Sequence, residues 1–151
     1  MDHWNTDQFT EYIYNEDYHN VDPDFIQVRP QSQADHFIYK LQDWGKRLTI
    51  LDYGGGKGAF GVLMREAGFD VTACDPIYAD GMPEARKQFD LITCNEVWEH
   101  VPDPHDLVQT LDTYLKPDGV IWVGTHCVPD DIEELGTTWW YFAPRNGHIS
   151  F

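Results

Sequence analysis

Four glycines in five positions, Gly54-Gly55-Gly56-Lys57-Gly58, constrain this chain more than any other feature. They follow the apolar run LTILDY (48–53) and precede Ala59 to Ala67, a helical pattern that stops at Gly68. A short apolar run ending at glycines reads as a buried strand. Gly68 stands where a left-handed residue commonly closes a helix. Glycines let the backbone turn sharply and let a ligand approach with no Cβ in the way. The helix behind them offers N–H groups that have no partner inside the helix. A tight strand-to-helix turn needs fewer glycines than this, so the loop is predicted to cradle a ligand.

Three further apolar runs read as strands: FDVTACD (69–75), FDLITCN (89–95) and VIWVGT (120–125). Between the last two, Asp103 caps a helix with Pro104 in its first turn and Leu107, Val108, Leu111 and Leu115 on one face. KPDG (116–119) is predicted as a turn and DDIEEL (130–135) as a short helix. Strands apolar throughout and separated by helices argue for a parallel sheet covered on both faces. The expected fold class is α/β, a Rossmann-like doubly wound, mostly parallel sheet in a single small domain. Residues 48–151 form its core, and residues 1–47 a helical and aromatic cap segment. Within the cap, Thr6 is expected to cap a helix over 7–14, and the stretches around Pro23 and Pro30 to be extended or looped. Ser32 and Asp35 have capping-box spacing ahead of Phe37, Ile38, Leu41 and Trp44, in a helix ending at Gly45.

Composition excludes several functions. The chain has 151 residues, 42% of them hydrophobic, which suits one cored domain and not a disordered tail. Twenty-six acidic residues against ten basic give a net charge of -16, which repels phosphate backbones and anionic bilayers. Neither nucleic acid nor a membrane is therefore expected as a partner. Three cysteines without a CxxC pattern fit a reducing compartment. The first twenty residues lack a basic and an apolar region of signal-peptide type, and no apolar run approaches ~18 residues. A soluble, cytoplasmic protein is expected.

Gly56-Lys57-Gly58-Ala59-Phe60-Gly61 formally matches a dinucleotide-binding pattern, and Asp75 lies nineteen residues after Gly56, where a ribose-binding acid belongs. A P-loop is excluded, since no Gly-Lys-Ser/Thr follows. Asp52 argues against the dinucleotide. A carboxylate at the strand tip is awkward beside a pyrophosphate but suits a ligand carrying an ammonium group. Asp75 can accept both hydroxyl hydrogens of a ribose, or serve simply as a turn cap.

Asp52-x-Gly54-x-Gly56-x-Gly58 resembles the first motif of class I S-adenosylmethionine-dependent methyltransferases. Asp75 resembles the acid that closes their second strand. FDLITCNEVWEHVPDP (89–104) and LKPDGVIWVGTH (115–126) are similar to segments of the subgroup that contains ubiquinone-biosynthesis O-methyltransferases. The resemblance covers roughly residues 48–126. It implies S-adenosyl-L-methionine as cofactor and methylation, at oxygen, of a small-molecule acceptor. It further implies that Asp52, Tyr53, Gly54, Gly55, Gly56 and Gly58 hold the methionine part. Asp75, Pro76 and Ile77 would lie along the ribose and adenine, and Asn95 and Glu96 on the reactive side. Arg29 is a candidate partner for the cofactor carboxylate.

Two departures stand out. Only twelve residues lie between Pro76 and Phe89, where the family usually places a helix and another strand, so Asp80 is the remaining candidate to meet adenine. The chain also ends at Phe151, before the last family elements, which suggests a truncated member or a fragment. The fourth strand is then a free edge on which a homodimer can form.

Methyl transfer to a hydroxyl needs a base. Glu99, His100 and His148 are the catalytic candidates, with His126 a weaker one. Some related O-methyltransferases are helped by a divalent ion, but no HxH or HExxH spacing exists here, so no metal is expected. Trp4, Tyr12, Tyr14 and Tyr18, with Trp139, Trp140, Tyr141 and Phe142, are expected to form an aromatic lid or to fill core. A cofactor-binding pseudoenzyme or partner subunit, and a nicotinamide-dependent oxidoreductase, are the competing readings.

Overall fold

The computed structural model describes residues 4–44, 47–77, 81–84 and 86–149. At its centre is a sheet of four strands, β1 Thr49–Tyr53, β2 Asp70–Cys74, β3 Phe89–Asn95 and β4 Leu115–Gly124. Their order is β2-β1-β3-β4 and every pairing is parallel. Parallel neighbours need crossovers, which α4 (Ala59–Glu66) and α5 (Pro104–Tyr114) supply. Successive strand residues point to opposite faces. Ile50 and Leu91 meet Phe60 and Met64 of α4 and Ala34 and Phe37 of α3 (Val28–Leu41). Leu51 and Ile92 meet Leu107, Leu111 and Tyr114 of α5 on the other face. This is the doubly wound, Rossmann-like arrangement that the strand pattern predicts. The chain winds outward in opposite directions from β1 and β3, so the crevice at their carboxyl ends is the switch point where ligands bind.

Three local expectations are corrected. First, α1 (Thr6–Tyr12) is capped by Asn5, whose side chain accepts from the Gln8 N–H at 3.0 Å while Gln8 returns a bond to the Asn5 N–H. Second, α3 starts at Val28 rather than after Ser32, and Pro23 lies in a 3₁₀ turn, Pro23–Phe25, that follows the short α2 (Tyr18–Val21). Pro30 is tolerated inside the first turn of α3 because the first intrahelical bond runs from Gln31 N–H to the Gln27 carbonyl at 3.1 Å. Third, the turn at 116–119 is an excursion inside β4. Phe89 pairs with Leu115 and Leu91 with Val120, so five steps on β4 answer two on β3. Asp118 has φ +64 there. The predicted helix stop at Gly45 and the candidate acid Asp80 lie outside the described residues.

The bottom of the sheet is tied by Asp90. Its Oδ2 accepts from the Thr49 N–H at 2.8 Å, and both its oxygens accept from Lys116 Nζ at 2.9 Å. These bonds hold the Asp90 carboxyl down at about 2, the Thr49 backbone bond contributing most. β4 is an edge strand with Val120, Trp122 and Val123 exposed, although the Trp122 ring leans on Phe37 at 5.1 Å. No helix among the described residues is long and apolar enough to cross a membrane. Leu111 is fully buried where α5 meets the sheet. Leu111→Ala is expected to cost about 2–5 kcal/mol. The check is a lower urea midpoint with an unchanged slope.

Candidate functional site

The glycine loop is sewn to the tip of β2. Gly54 and Gly55 N–H donate to the Cys74 carbonyl at 2.9 and 3.2 Å, and Gly56 N–H donates to Asp75 Oδ2 at 2.8 Å. The other Asp75 oxygen accepts from the Ile77 N–H at 2.7 Å. Gly54, Gly56 and Gly58 all have positive φ. A Cβ on Gly54 would stand 2.4 Å from Val97, and one on Gly55 2.2 Å from Asp52 Oδ2. The glycines therefore answer to both backbone conformation and space. Asp75 acts here as the turn cap foreseen for it.

Asp52 lies under this loop, buried at the end of β1. Its Oδ1 accepts from the Thr93 hydroxyl at 3.1 Å, while Oδ2 is buried with no partner among the described residues. Burial, opposed by the Thr93 bond, pushes the Asp52 carboxyl up to about 7. Glu96, just past β3, has φ +53 and is likewise raised to about 7, by burial and then by the nearby Glu99 charge. Gly124 at the tip of β4 leaves room for Asn95, since a Cβ there would meet the Asn95 side-chain oxygen at 2.5 Å.

These groups open on a cavity of about 400 Å³, lined by the loop, Asp75, Pro76, Ile77, Asn95, Glu96 and His100. Tyr53 borders it too, though its ring belongs to the core on the α5 side. The N-terminal segment forms the opposite wall with Trp4, Phe9, Tyr14, Tyr18 and Phe25. Phe25 covers the loop, 3.1 Å from where a Cβ on Gly56 would stand. Arg29 lines the cavity from the first turn of α3, clasped by both oxygens of buried Asp22 at 2.5 Å and 3.9 Å from Glu96. The C-terminal aromatics do not border the cavity. Trp139 and Tyr141 are buried behind it, and Trp140 is exposed. Tyr12 is exposed as well, its ring tilted against Trp4 at 5.4 Å. Phe9, Phe25 and Gln33 join the wall although no motif marked them.

Of the proposed catalytic group, His100 faces the cavity, and Glu99 and His148 stand behind it. Glu99 is fully buried. It accepts hydrogen bonds from the Tyr141 hydroxyl and, at 3.1 Å, from the Thr125 hydroxyl. His148 Nδ1 lies 2.7 Å from the Tyr141 carbonyl, to which it donates. Burial pushes His100 down to about 4, so the ring is neutral at pH 7. One donor atom from each of Glu99, His100 and His148 falls within 4.8 Å of the others. Such a trio fits a divalent cation. Spacing rules miss it because His148 arrives from a distant tail. His126 meets Trp140 and Tyr141 edge to face, apart from the cavity.

Residues 31–151 match a family described as a methyltransferase domain. The chain belongs to this methyltransferase family. It is 32% identical to a ubiquinone biosynthesis O-methyltransferase of Actinobacillus pleuropneumoniae, over 54% of this chain and 46% of that protein. A namesake from Haemophilus ducreyi is 49% identical over 26% of this chain and 16% of its own length. The chain thus spans about half the length of the first of these relatives. Among solved structures, the plantazolicin methyltransferase BpumL, in complex with SAH, matches with TM-score 0.60 at 15% identity, over 96% of this chain and 72% of that one. YcgJ from Bacillus subtilis matches with TM-score 0.56 at 18% identity, over 79% and 62%. Both show the fold.

The methyltransferase site fits the family's cofactor, S-adenosylmethionine. Orphaned Asp52 Oδ2 offers a buried anionic acceptor for an ammonium group, and Asp75 lines the same cavity at the tip of β2. A cation selects the ionised form of Asp52. S-adenosylmethionine affinity is therefore expected to rise as pH climbs through about 7 and then level. Calorimetry between about pH 6 and 8 should record this climb, flattened in Asp52→Asn.

Proposed function

We propose that the chain transfers a methyl group from S-adenosylmethionine to a hydroxyl oxygen of a small acceptor held beneath the N-terminal aromatic wall. The observation that carries this reading is Asp52, a buried carboxylate with one oxygen unpartnered, facing a cavity bounded by glycine backbone and aromatic rings. When bound, the cofactor supplies an electrophilic methyl group on a sulfonium. The chain's own work is alignment, exclusion of water and custody of the acceptor's proton. Trp4, Tyr18 and Phe25 shield the crevice, and their electron-rich faces tolerate a cation. His100 is the neutral base on the cavity wall. With its proton affinity depressed, it matches an acidic hydroxyl such as a phenol better than an aliphatic alcohol. The name shared by the curated relatives also supports oxygen as the methylated atom.

A second reading of the same trio rests on its converging donors. A divalent cation held by Glu99, His100 and His148 would anchor and acidify the acceptor hydroxyl. Zinc and manganese titrations by calorimetry, with and without EDTA, separate the two. Metal-independent turnover leaves His100 as base.

His100→Ala is expected to lower methyl transfer from labelled cofactor to a panel of phenols and catechols by at least ~100-fold. Its affinity for S-adenosylhomocysteine should stay the same. Asp75→Ala should lose that affinity. Cofactor binding without transfer to any acceptor would instead mark a binding subunit, and tight NAD binding would defeat the assignment.

A further inference from the structure

Asp52 Oδ2 is not the only unanswered atom at the crevice. Asn95 Nδ2, a hydrogen-bond donor, is also buried without a partner among the described residues. Both residues line the cavity. Asp52 and Thr93 stand opposite each other on β1 and β3, and the Thr93 hydroxyl reaches Asp52 Oδ1 at 3.1 Å. Asn95 follows Thr93 by two residues, so it rises from the same face of the sheet, about 6.6 Å further along. An unsatisfied acceptor and an unsatisfied donor thus share one face at the carboxyl ends of neighbouring strands. The tip of β4 flanks the amide. Gly124 pairs with Asn95, and its carbonyl accepts from the Glu96 N–H at 2.6 Å. A Cβ on Gly124 would stand 2.5 Å from Asn95 Oδ1.

We infer that the Asn95 side-chain amide donates to the carboxylate of the cofactor's amino-acid end while Asp52 takes the ammonium, so that β1 and β3 together read a zwitterion. An α-amino acid carries both groups on one carbon and therefore needs an acceptor and a donor side by side. Asn95 Nδ2 is out of reach of bulk water, and a buried donor left unanswered is costly. A carboxylate oxygen answers it and leaves the protein wall uncharged at that point. Arg29 is poorly placed to do the same. Both oxygens of Asp22 clasp it at 2.5 Å and Glu96 stands 3.9 Å away, so two acids already draw on its charge. Lys57, another cation in the lining, is exposed to solvent. The inference deepens the reading of Asp52 as the ammonium site and rests on it.

The test compares two ligands by calorimetry on the full chain. One is S-adenosylhomocysteine. The other is S-adenosyl-3-thiopropylamine, which keeps the ammonium and lacks the carboxylate. The native chain should prefer the first by ~10–100-fold. Asn95→Leu keeps the bulk and removes the donor, and it should erase this preference while holding the thiopropylamine affinity within about twofold. Gly124→Ala, which crowds the amide, should shift the ratio in the same direction. Asp52→Asn should instead weaken both ligands, since both carry the ammonium. An unchanged ratio of affinities in Asn95→Leu would overturn the inference, even where both affinities fall together through lost packing. So would a ratio that collapses in Arg29→Gln and survives in Asn95→Leu, which moves the carboxylate to Arg29. Failure of the underlying reading looks different: Asp52→Asn would leave both affinities as they were, or the native chain would bind neither nucleoside, and both readings would fall.

Discussion

The structure depends on the stitching of the glycine loop to the tip of β2. Two backbone N–H groups share the Cys74 carbonyl, and a third reaches Asp75. The loop must therefore fold back over the end of β1, and Asp52 is trapped underneath. Hydrogen bonds that satisfy buried backbone normally finish the accounting of a turn. Here they leave a carboxylate oxygen unanswered, and an unanswered buried acceptor is costly unless something fills it. The binding site is the unfinished part of an otherwise satisfied turn.

The acids of the crevice follow from this arrangement. Asp52 and Glu96 are both held far above their ordinary range, chiefly by burial, with Arg29 the cation that bears on Glu96. Arg29 is itself engaged by Asp22. A crevice with more buried acid than base awaits positive charge. This suits a sulfonium and disfavours a pyrophosphate. The dinucleotide pattern in the same glycines is therefore only formal.

Much of this was legible before any coordinates. The four strands, α4 and α5 follow from apolar runs broken by glycine and acid, and the cavity-lining set from Asp52 to Glu96 follows from the resemblance of these segments to the methyltransferase family. What escaped was set by distant contacts. Pro30 reads as a helix breaker, yet the start of α3 has no bond for it to break. The turn at 116–119 reads correctly as local chemistry, but pairing continues on both sides of it. The Glu99–His148 proximity and the Tyr14–His100 bond join residues far apart in sequence, and no periodicity encodes such a meeting. Phe9 and Phe25 look like ordinary apolar residues, and only the closure of the N-terminal segment makes them a wall.

The excursion in β4 has a mechanical consequence. At its start, Lys116 is anchored to Asp90. Above it, pairing resumes at Val120 and runs in step to Gly124 beside Asn95. The slack between these two anchors isolates the strand's upper end from its base. Residues gained or lost at 117–119 would change the size of a surface bump. They would leave untouched the alignment of Gly124 with Asn95, on which the shape of the crevice floor rests.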